Sequence, residues 1–431
     1  MIKSIKYVFM IFFFYSDSSI FNYYMGTELE RLYYDDRKQK INLIFSIIIN
    51  LAVLVFFKYY GFLLNTIGGI IGIHIPHPEL SLPIGLSFYT FRNLSYLFDI
   101  YLSKVSAQRN FLTFSVYSTM FPYTSAGPIV RYTDIETQLK QRTINISKFG
   151  IGAELFVKGL AKKVLLADNL SVLYSSICGH PQMSVFTSWL GILAYTMQLY
   201  FDFSGYSDMA IGLGKMLGFD FNKNFDYPYI STSVSEFWRR WHISLGSWFR
   251  DYIYIPLGGN RVSTLKHIRN ILVVWALTGL WHGASWNFIL WGLYFGIIII
   301  AEKLFLGKYL EKLNPIISII YTFVLVVLGW VLFDTNNLTD SLQYYKAMFY
   351  GDGNILDSFA LFQLKNYGMI FIFCILGCGG LLGKILKKIQ LSEIVSKVIN
   401  YAMPLVQIAV MLVCTAYLVD ASYNPFLYFR F

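Results

Sequence analysis

The stretch that decides the fold is ILVVWALTGLWHGASWNFILWGLYFG, residues 271–296, which contains no Asp, Glu, Lys or Arg. An apolar run of about 20 residues is enough for one α-helix to cross the hydrocarbon layer of a bilayer. Together with its flanks, residues 269–304, this stretch is long enough for two crossings, so it predicts two membrane passes. The one histidine within it is His282.

The rest of the chain has the same character. Of its 431 residues, 56% are hydrophobic and 14% are charged, whereas soluble domains average about a quarter charged residues. Aromatic residues reach 19%, and Tyr and Trp favour the interface between membrane and water. The composition therefore predicts an all-α, polytopic membrane protein. The candidate spans are residues 4–24, 41–64, 82–102, 110–130, 150–170, 186–218, 269–304 (two passes), 315–333, 366–386 and 397–419.

These spans correspond to roughly ten crossings, and we expect residues 1–431 to form a single integral-membrane domain. The formal net charge of +10 comes from basic residues in short loops between apolar runs, a distribution typical of loops at the cytoplasmic face. No basic stripe crosses a polar domain, so the charge does not indicate nucleic-acid binding. The four cysteines form no paired CxxC pattern, and the sequence indicates no metal site.

The histidines have different settings. Four lie in polar connections, where a solvated imidazole is the ordinary explanation: His74, His77, His180 and His267. His282 lies in the uncharged stretch, and an ionisable side chain at membrane depth usually faces a polar cavity and carries function. Gly279 and Gly283 beside it leave room for a substrate or another backbone. The alternative is a packing histidine that is hydrogen-bonded to a neighbouring carbonyl.

Residues 233–259 differ from the spans. One apolar helical stripe recurs there at steps of three and four, formed by Trp238, Trp241, Leu245, Trp248 and Tyr252. This pattern predicts a helix that lies in the membrane interface and ends near Pro256. His242 borders the stripe, either as a second site residue or as an anchor of the helix.

A polar cluster interrupts the apolar stretch QLYFDFSGYSDMAIG, residues 198–212. Its members are Gln198, Asp202, Ser204, Ser207 and Asp208. Carboxylates in such surroundings need partners or water. The cluster therefore indicates either a wet cavity or a polar kink that is satisfied by neighbouring helices.

The motifs of several soluble enzymes are absent. Gly205 and Ser207 begin a GxSxG nucleophile elbow, but Met209 stands in place of the second glycine. No histidine is followed five residues later by an aspartate, and no HExxH motif occurs. These absences argue against soluble acyltransferase, hydrolase and metalloprotease chemistry.

Four long stretches resemble the membrane-bound O-acyltransferase family: FPYTSAGPIVRY (121–132), QLYFDFSGYSDMAIGLGKMLGFDF (198–221), YPYISTSVSEFWRRWHISLGSWFRDYIYIPLGGNR (227–261) and LTGLWHGASWNFILWG (277–292). They look most like the branch that contains the alginate O-acetyltransferase membrane subunit, and the closing SYNPFLYFRF (422–431) is similar to that branch. The likeness extends from about Phe21 to the end of the chain. Family members usually begin with more hydrophobic sequence, so the first helices of the family are expected to be missing here.

The resemblance implies roughly ten to eleven transmembrane helices in a ring around a central funnel or tunnel, in a bacterial cytoplasmic membrane. It implies that His282, in the WHG motif, is catalytic, and that His242, in the RRWHIS motif, is a second functional position. It implies no permanently bound cofactor. The donor would be an acyl thioester such as acetyl-CoA, the acceptor a polysaccharide, and the protein partner an extracytoplasmic acyltransferase.

We expect His282 to take the proton from an acceptor hydroxyl as its oxygen attacks the thioester carbonyl. His242 would orient the substrate or stabilise the oxyanion, and Arg239 and Arg240 would meet the donor's phosphates or anchor the chain in the interface. Further candidates for substrate contacts are Gln198, Trp281, Asp202, Ser207 and Asp208. Two alternatives stay open, namely D-alanyl transfer for teichoic acid modification and a transporter or flippase of an acyl carrier.

Overall fold

The computed structural model describes residues 2–78, 80, 82–380 and 393–420. All regular secondary structure in these residues is helical, which confirms the predicted all-α class. The α-helices are α1 (Ile2–Arg31), α2 (Asp36–Leu54), α3 (Tyr60–Ile71), α4 (Leu86–Tyr101), α5 (Phe111–Thr119), α6 (Tyr132–Lys140), α7 (Ile146–Ala161), α8 (Asp168–Cys178), α9 (Val185–Met216), α10 (Val234–Arg240), α11 (Ile243–Phe249), α12 (Thr264–His282), α13 (Trp286–Ala301), α14 (Gly307–Leu310), α15 (Pro315–Asp334), α16 (Leu338–Tyr350), α17 (Ser358–Cys378) and α18 (Glu393–Asp420).

Within the described ranges, five helical stretches are long and apolar enough to cross a membrane: Asp36–Ile71, Trp286–Leu310, Pro315–Asp334, Ser358–Cys378 and Lys397–Asp420. Several other predicted spans coincide with helices that are more polar. The α9 helix has 32 residues, which correspond to about 48 Å of length, but it carries Asp202, Asp208 and Lys215. The ring of ten to eleven helices stays a prediction.

The span predicted for residues 110–130 is wrong. The α5 helix ends at Thr119 after nine residues, which extend over only about 13 Å. A 3-10 turn, Phe121–Tyr123, follows it, and Gly127 has a φ of +87°, so this segment folds back inside the protein. Of the predicted span 366–386, residues 381–386 lie outside the described residues, as does the closing motif 422–431.

In the part of the chain that the structure describes, four helices pass into π-helical turns, at Val55–Tyr59, Lys162–Ala167, Arg250–Tyr254 and Glu302–Leu306. A π-turn widens the helix locally and redirects the side chains that follow, and such turns are frequent at functional sites. The first two turns carry buried or half-buried lysines at Lys58, Lys162 and Lys163. Lys58 contacts the end of α12, and Lys162 and Lys163 pair with carboxylates of α9.

Close packing joins α7 to α9 through pairs of facing glycines. A Cβ atom on Gly159 would lie 2.4 Å from the carbonyl oxygen of Gly205, and one on Gly152 would lie 2.6 Å from that of Gly212. Two helix backbones can approach this closely only where neither has a side chain. The contact fixes α9, and with it the loop that follows α9 and borders the site.

Gly159→Ala is expected to destabilise the protein, because the added methyl meets backbone that has nowhere to move; overpacking of this kind typically costs about 1–3 kcal/mol. Gly150→Ala, on the same helix, is the matched control because a Cβ there meets nothing within 4 Å. That change should stabilise the protein slightly, by about 0.5–1 kcal/mol, through helix propensity. Thermal unfolding in detergent micelles measures both changes, and shifts of the same sign would contradict the packing.

Candidate active site

The apolar stripe of residues 238–252 does not form one helix. The chain breaks between α10 and α11 at His242, whose φ of +45° and ψ of +55° place it in the left-handed region. A non-glycine residue in this region is uncommon and often marks a functional position. Trp241, Leu245, Trp248 and Tyr252 are buried inside the protein. The expected interfacial helix is therefore replaced by two short helices that pack into the core.

His282 is the last residue of α12, and Gly283 follows it in an extended conformation. The ring of His282 meets those of Trp281, Trp291 and Phe333 edge-on, with centroids 5.0, 4.9 and 5.1 Å apart. The neighbouring Gly279 allows the backbones of α12 and α13 to touch, since a Cβ on Gly279 would lie 2.2 Å from the carbonyl oxygen of Phe288. The histidine is thus held rigidly where α12 turns into α13.

His282 and His242 line one cavity of about 460 Å³, a volume in the range of small-molecule sites. Both histidines are buried, whereas Arg239, Arg250 and Lys303, which line the same cavity, are exposed. We call these three side chains the cationic rim. The cavity therefore extends from a positively charged opening to two imidazoles in an aromatic wall. This geometry favours the cavity-facing interpretation of His282 over the packing one.

Asn224 supports His242 and has no signal in the sequence pattern. It lies in the loop after α9, and its side-chain oxygen is 3.1 Å from Nδ1 of His242. Its amide nitrogen donates to the hydroxyl of Ser207 over 3.1 Å. Burial lowers the pKa of His242 to about 3, so the imidazole is neutral around pH 7 and can accept a hydrogen bond.

Lys58 and Tyr59 support His282, and the sequence did not point to them either. Nζ of Lys58 donates to the carbonyl oxygens of Trp281 at 2.6 Å and of His282 at 3.2 Å. The Tyr59 hydroxyl donates to the carbonyl of Leu280 at 2.6 Å. The last carbonyls of a helix lack partners within it, and a cation is favourable at that end of the dipole. The π-turn places both side chains at the end of α12.

The polar cluster on α9 is divided between two tasks. Asp202 pairs with Lys163 at 2.7 Å and Asp208 pairs with Lys162 at 2.7 Å, so both carboxylates are satisfied by the π-turn after α7. Ser207 is linked to the site through Asn224. None of the predicted residues Gln198, Asp202, Ser207 or Asp208 is among the described residues that line the cavity. These ion pairs favour the helix-neighbour explanation for the carboxylates.

The two adjacent arginines also separate. Arg239 belongs to the cationic rim, whereas Arg240 forms an ion pair with Glu236 at 2.7 Å and donates to the carbonyl of Asp226 at 3.3 Å. Arg240 thus braces the loop that carries Asn224, and it is not part of the cavity lining as described. Trp281 is buried between the two histidines, with its ring centroid 5.9 Å from that of His242. Across the described ranges, no group of three or more metal-binding side chains occurs.

Lys58→Met should lower the rate of the reaction catalysed at this site while leaving the protein folded, because the end of α12 loses its cap and His282 shifts. A displacement of about 1 Å can reduce a rate by about 100-fold. Tyr59→Phe should have a smaller effect of the same kind. Tyr60→Phe is the matched control, since Tyr60 is the neighbouring tyrosine on the same helix. Turnover measured at equal amounts of membrane-inserted protein tests the prediction, and unchanged turnover of Lys58→Met would contradict it.

The chain is similar to known proteins over most of its length. The family model of MBOAT, the membrane-bound O-acyltransferase family, matches residues 8–310. The chain is 43% identical over 353 residues to the probable alginate O-acetylase AlgI of Pseudomonas aeruginosa, an alignment that covers 81% of this chain and 66% of the relative. It is 37% identical over 432 residues to the protein of that name from Pseudomonas putida, covering 96% and 89%. It is also 34% identical over 364 residues to the peptidoglycan O-acetyltransferase of Helicobacter pylori, covering 77% and 68%.

Proposed function

The chain belongs to the membrane-bound O-acyltransferase family, and on this premise we propose that it transfers an acetyl group from a thioester donor to a hydroxyl of a polysaccharide or of a partner protein. It is a multi-pass protein of a bacterial membrane. Relatives named as alginate O-acetylases and as a peptidoglycan O-acetyltransferase support acetyl as the group that moves and a polysaccharide as its destination.

One observation carries the proposal. Two buried histidines and three exposed cations line the same cavity. A hydroxyl acceptor needs a neutral base beside it, which an imidazole supplies. A phosphate-bearing donor needs cations at the entrance, which the rim supplies. The cavity holds both features: His242 and His282 lie at the break before α11 and at the end of α12, and the rim cations lie on α10 and in the π-turns after α11 and α13.

The reaction begins when the acceptor hydroxyl donates a hydrogen bond to the imidazole of His282. As the hydroxyl oxygen attacks the thioester carbonyl, its proton moves to His282 and a tetrahedral oxyanion forms. The carbon–sulfur bond then breaks, the new carbon–oxygen bond remains, and the proton passes from His282 to the departing sulfur. The products are an acetyl ester and a thiol. General base catalysis of this kind contributes typically about 10²–10⁴ in rate.

The cationic rim indicates the side from which the donor enters the cavity. Activated thioesters are made in the cytoplasm, so we assign the rim to the cytoplasmic opening and the acceptor to the opposite side of the membrane. Arg250 forms an ion pair with Asp251 at 2.6 Å, whereas Arg239 and Lys303 are exposed rim cations. A carrier thiol bound at the rim would place its acyl group toward the histidines without crossing the bilayer itself. An extracytoplasmic acyltransferase would then be the natural partner for passing the group to the polymer.

His282→Gln is expected to abolish covalent transfer, because the glutamine amide keeps much of the shape but cannot take up the proton; the loss should be about 10²–10⁴-fold. The measurement uses purified protein in liposomes with acetyl-labelled coenzyme A outside and an oligosaccharide inside. His180→Gln, at a half-buried loop position that is not among the residues lining the cavity, is the control and should retain wild-type rates.

The same assay separates the alternatives. Label that reaches the interior as intact donor would indicate a transporter, and label accepted only from a D-alanyl thioester would indicate D-alanyl transfer. Wild-type rates in His282→Gln would remove His282 from the mechanism. An acetylated oligosaccharide formed by the wild-type protein and not by this variant is the result we expect.

Arg239→Glu combined with Lys303→Glu should raise the KM for the donor by about tenfold or more while changing kcat little, since rim charges attract the donor before the chemical step. The introduced glutamates repel the donor's phosphates, and added salt screens the interactions between exposed charges. Arg261→Glu is the control, because Arg261 is exposed and is absent from the lining. A rise in KM that is equal for the control, or that does not diminish with salt, would contradict this role of the rim.

A further inference from the structure

The loop that carries Asn224 is fastened to the helix break at His242. The backbone amide of Ile243 donates to the carbonyl of Asn224 at 2.9 Å, and that of Asp226 donates to the carbonyl of Arg240 at 2.9 Å. Asn224 is only 1% exposed. Its side chain is therefore held beside His242 from both ends, and its amide cannot exchange its contacts for water.

The contacts decide which way the amide of Asn224 faces. Its Oδ1 lies 3.2 Å from the backbone nitrogen of Ser244, and a backbone N–H can only donate. The Ser244 hydroxyl also donates to Oδ1 at 2.9 Å, and Ser244 is itself fixed by the amide of Ile129 at 2.9 Å. On its other side, Nδ2 donates to Ser207. The atom that faces His242 is thus an oxygen.

An amide oxygen accepts hydrogen bonds and cannot donate them. This oxygen is 3.1 Å from Nδ1 of His242, and the Ser244 hydroxyl, which is 3.4 Å from Nδ1, donates to the same oxygen over the shorter distance of 2.9 Å. The neutral imidazole therefore carries its proton on Nδ1 and its lone pair on Nε2. We propose that Asn224 is a positioning residue that holds His242 as the Nδ1–H tautomer, so that Nε2 of His242 acts as a hydrogen-bond acceptor for the acceptor substrate.

This inference rests on the proposed function and refines it. His242 was expected either to orient the substrate or to stabilise the oxyanion, and a neutral ring with its lone pair on Nε2 cannot donate to an oxyanion. A sugar carries several hydroxyl groups, so one can donate to Nε2 of His242 while its neighbour reacts at His282. The two histidines line the same cavity, as this division of tasks requires. The favoured acceptor is then one that presents two adjacent hydroxyl groups.

Three variants test the positioning role. Asn224→Leu removes the acceptor and should lower kcat/KM for the acceptor by about 100-fold, as expected when a reactive group loses its orientation. Ser207→Ala removes only the contact on the far side of the amide and should cause a smaller loss. Asn222→Leu, two residues earlier in the chain and exposed, should behave as wild type.

Asn224→Asp tests the positioning role through the pH profile of activity, which a purely structural role of Asn224 would leave unchanged. A carboxylate keeps the accepting contacts to Ser244 and His242, but it favours the protonated imidazole and raises the pKa of His242. Protonated His242 cannot accept, so activity should be close to wild type at high pH and fall as the pH drops through the raised pKa. The other charged or titratable groups that line this cavity, His282, Arg239, Arg250, Tyr254 and Lys303, are the same in both proteins.

A pH profile of Asn224→Asp that runs parallel to that of the wild type would overturn the proposal, as would full activity of Asn224→Leu. The tautomer has a second readout that does not depend on activity, namely the ¹⁵N resonances of labelled histidines in micelles, with His242 assigned from a His242→Gln spectrum. Wild-type protein should show a protonated Nδ1, and Asn224→Leu should lose that pattern. If the wild type transfers no acetyl group but shows this tautomer, the proposed function fails while the positioning role stands.

Discussion

Polar groups inside a membrane protein must find their hydrogen-bond partners within the protein, because lipid offers none. The two helix breaks beside the cavity meet this requirement with side chains from distant segments. At the end of α12, Lys58 and Tyr59 bind the carbonyls of Leu280, Trp281 and His282. At the start of α11, Asn224 binds Ser244 and His242. These contacts give hydrogen-bond partners to backbone groups at both breaks, the last carbonyls of α12 and the amide of Ser244.

The same supports hold the histidines in register. A helix end that is capped by a lysine from another helix cannot fray, and an imidazole bonded to a fixed amide cannot change its tautomer freely. Preorganised groups need little rearrangement when charge develops. The partners that satisfy the membrane constraint are thus also the groups that fit the site for chemistry.

Charges in this protein fall into two sets. Asp202, Asp208, Lys162 and Lys163 pair with one another between the π-turn after α7 and α9, where the facing glycines bring the two elements together. The cationic rim opens to the outside of the fold. Buried charges that are paired support structure, whereas exposed cations that line a cavity remain available for a ligand. This division explains why two neighbouring arginines, Arg239 and Arg240, have different surroundings.

The sequence by itself determined that the chain is helical and membrane-embedded, since composition and the length of apolar runs follow directly from the solvent. It also singled out His282 and His242, because an ionisable residue in an uncharged stretch is conspicuous and the surrounding motifs are long. It did not reveal the break at His242, because a regular apolar period continues through it. Nor did it reveal Asn224, Lys58 or Tyr59, since hydrogen bonds across 18 and about 220 positions of chain have no local signature. Only the tertiary structure brought these partners together, because the free energy of burying a polar group depends on which atoms surround it in space.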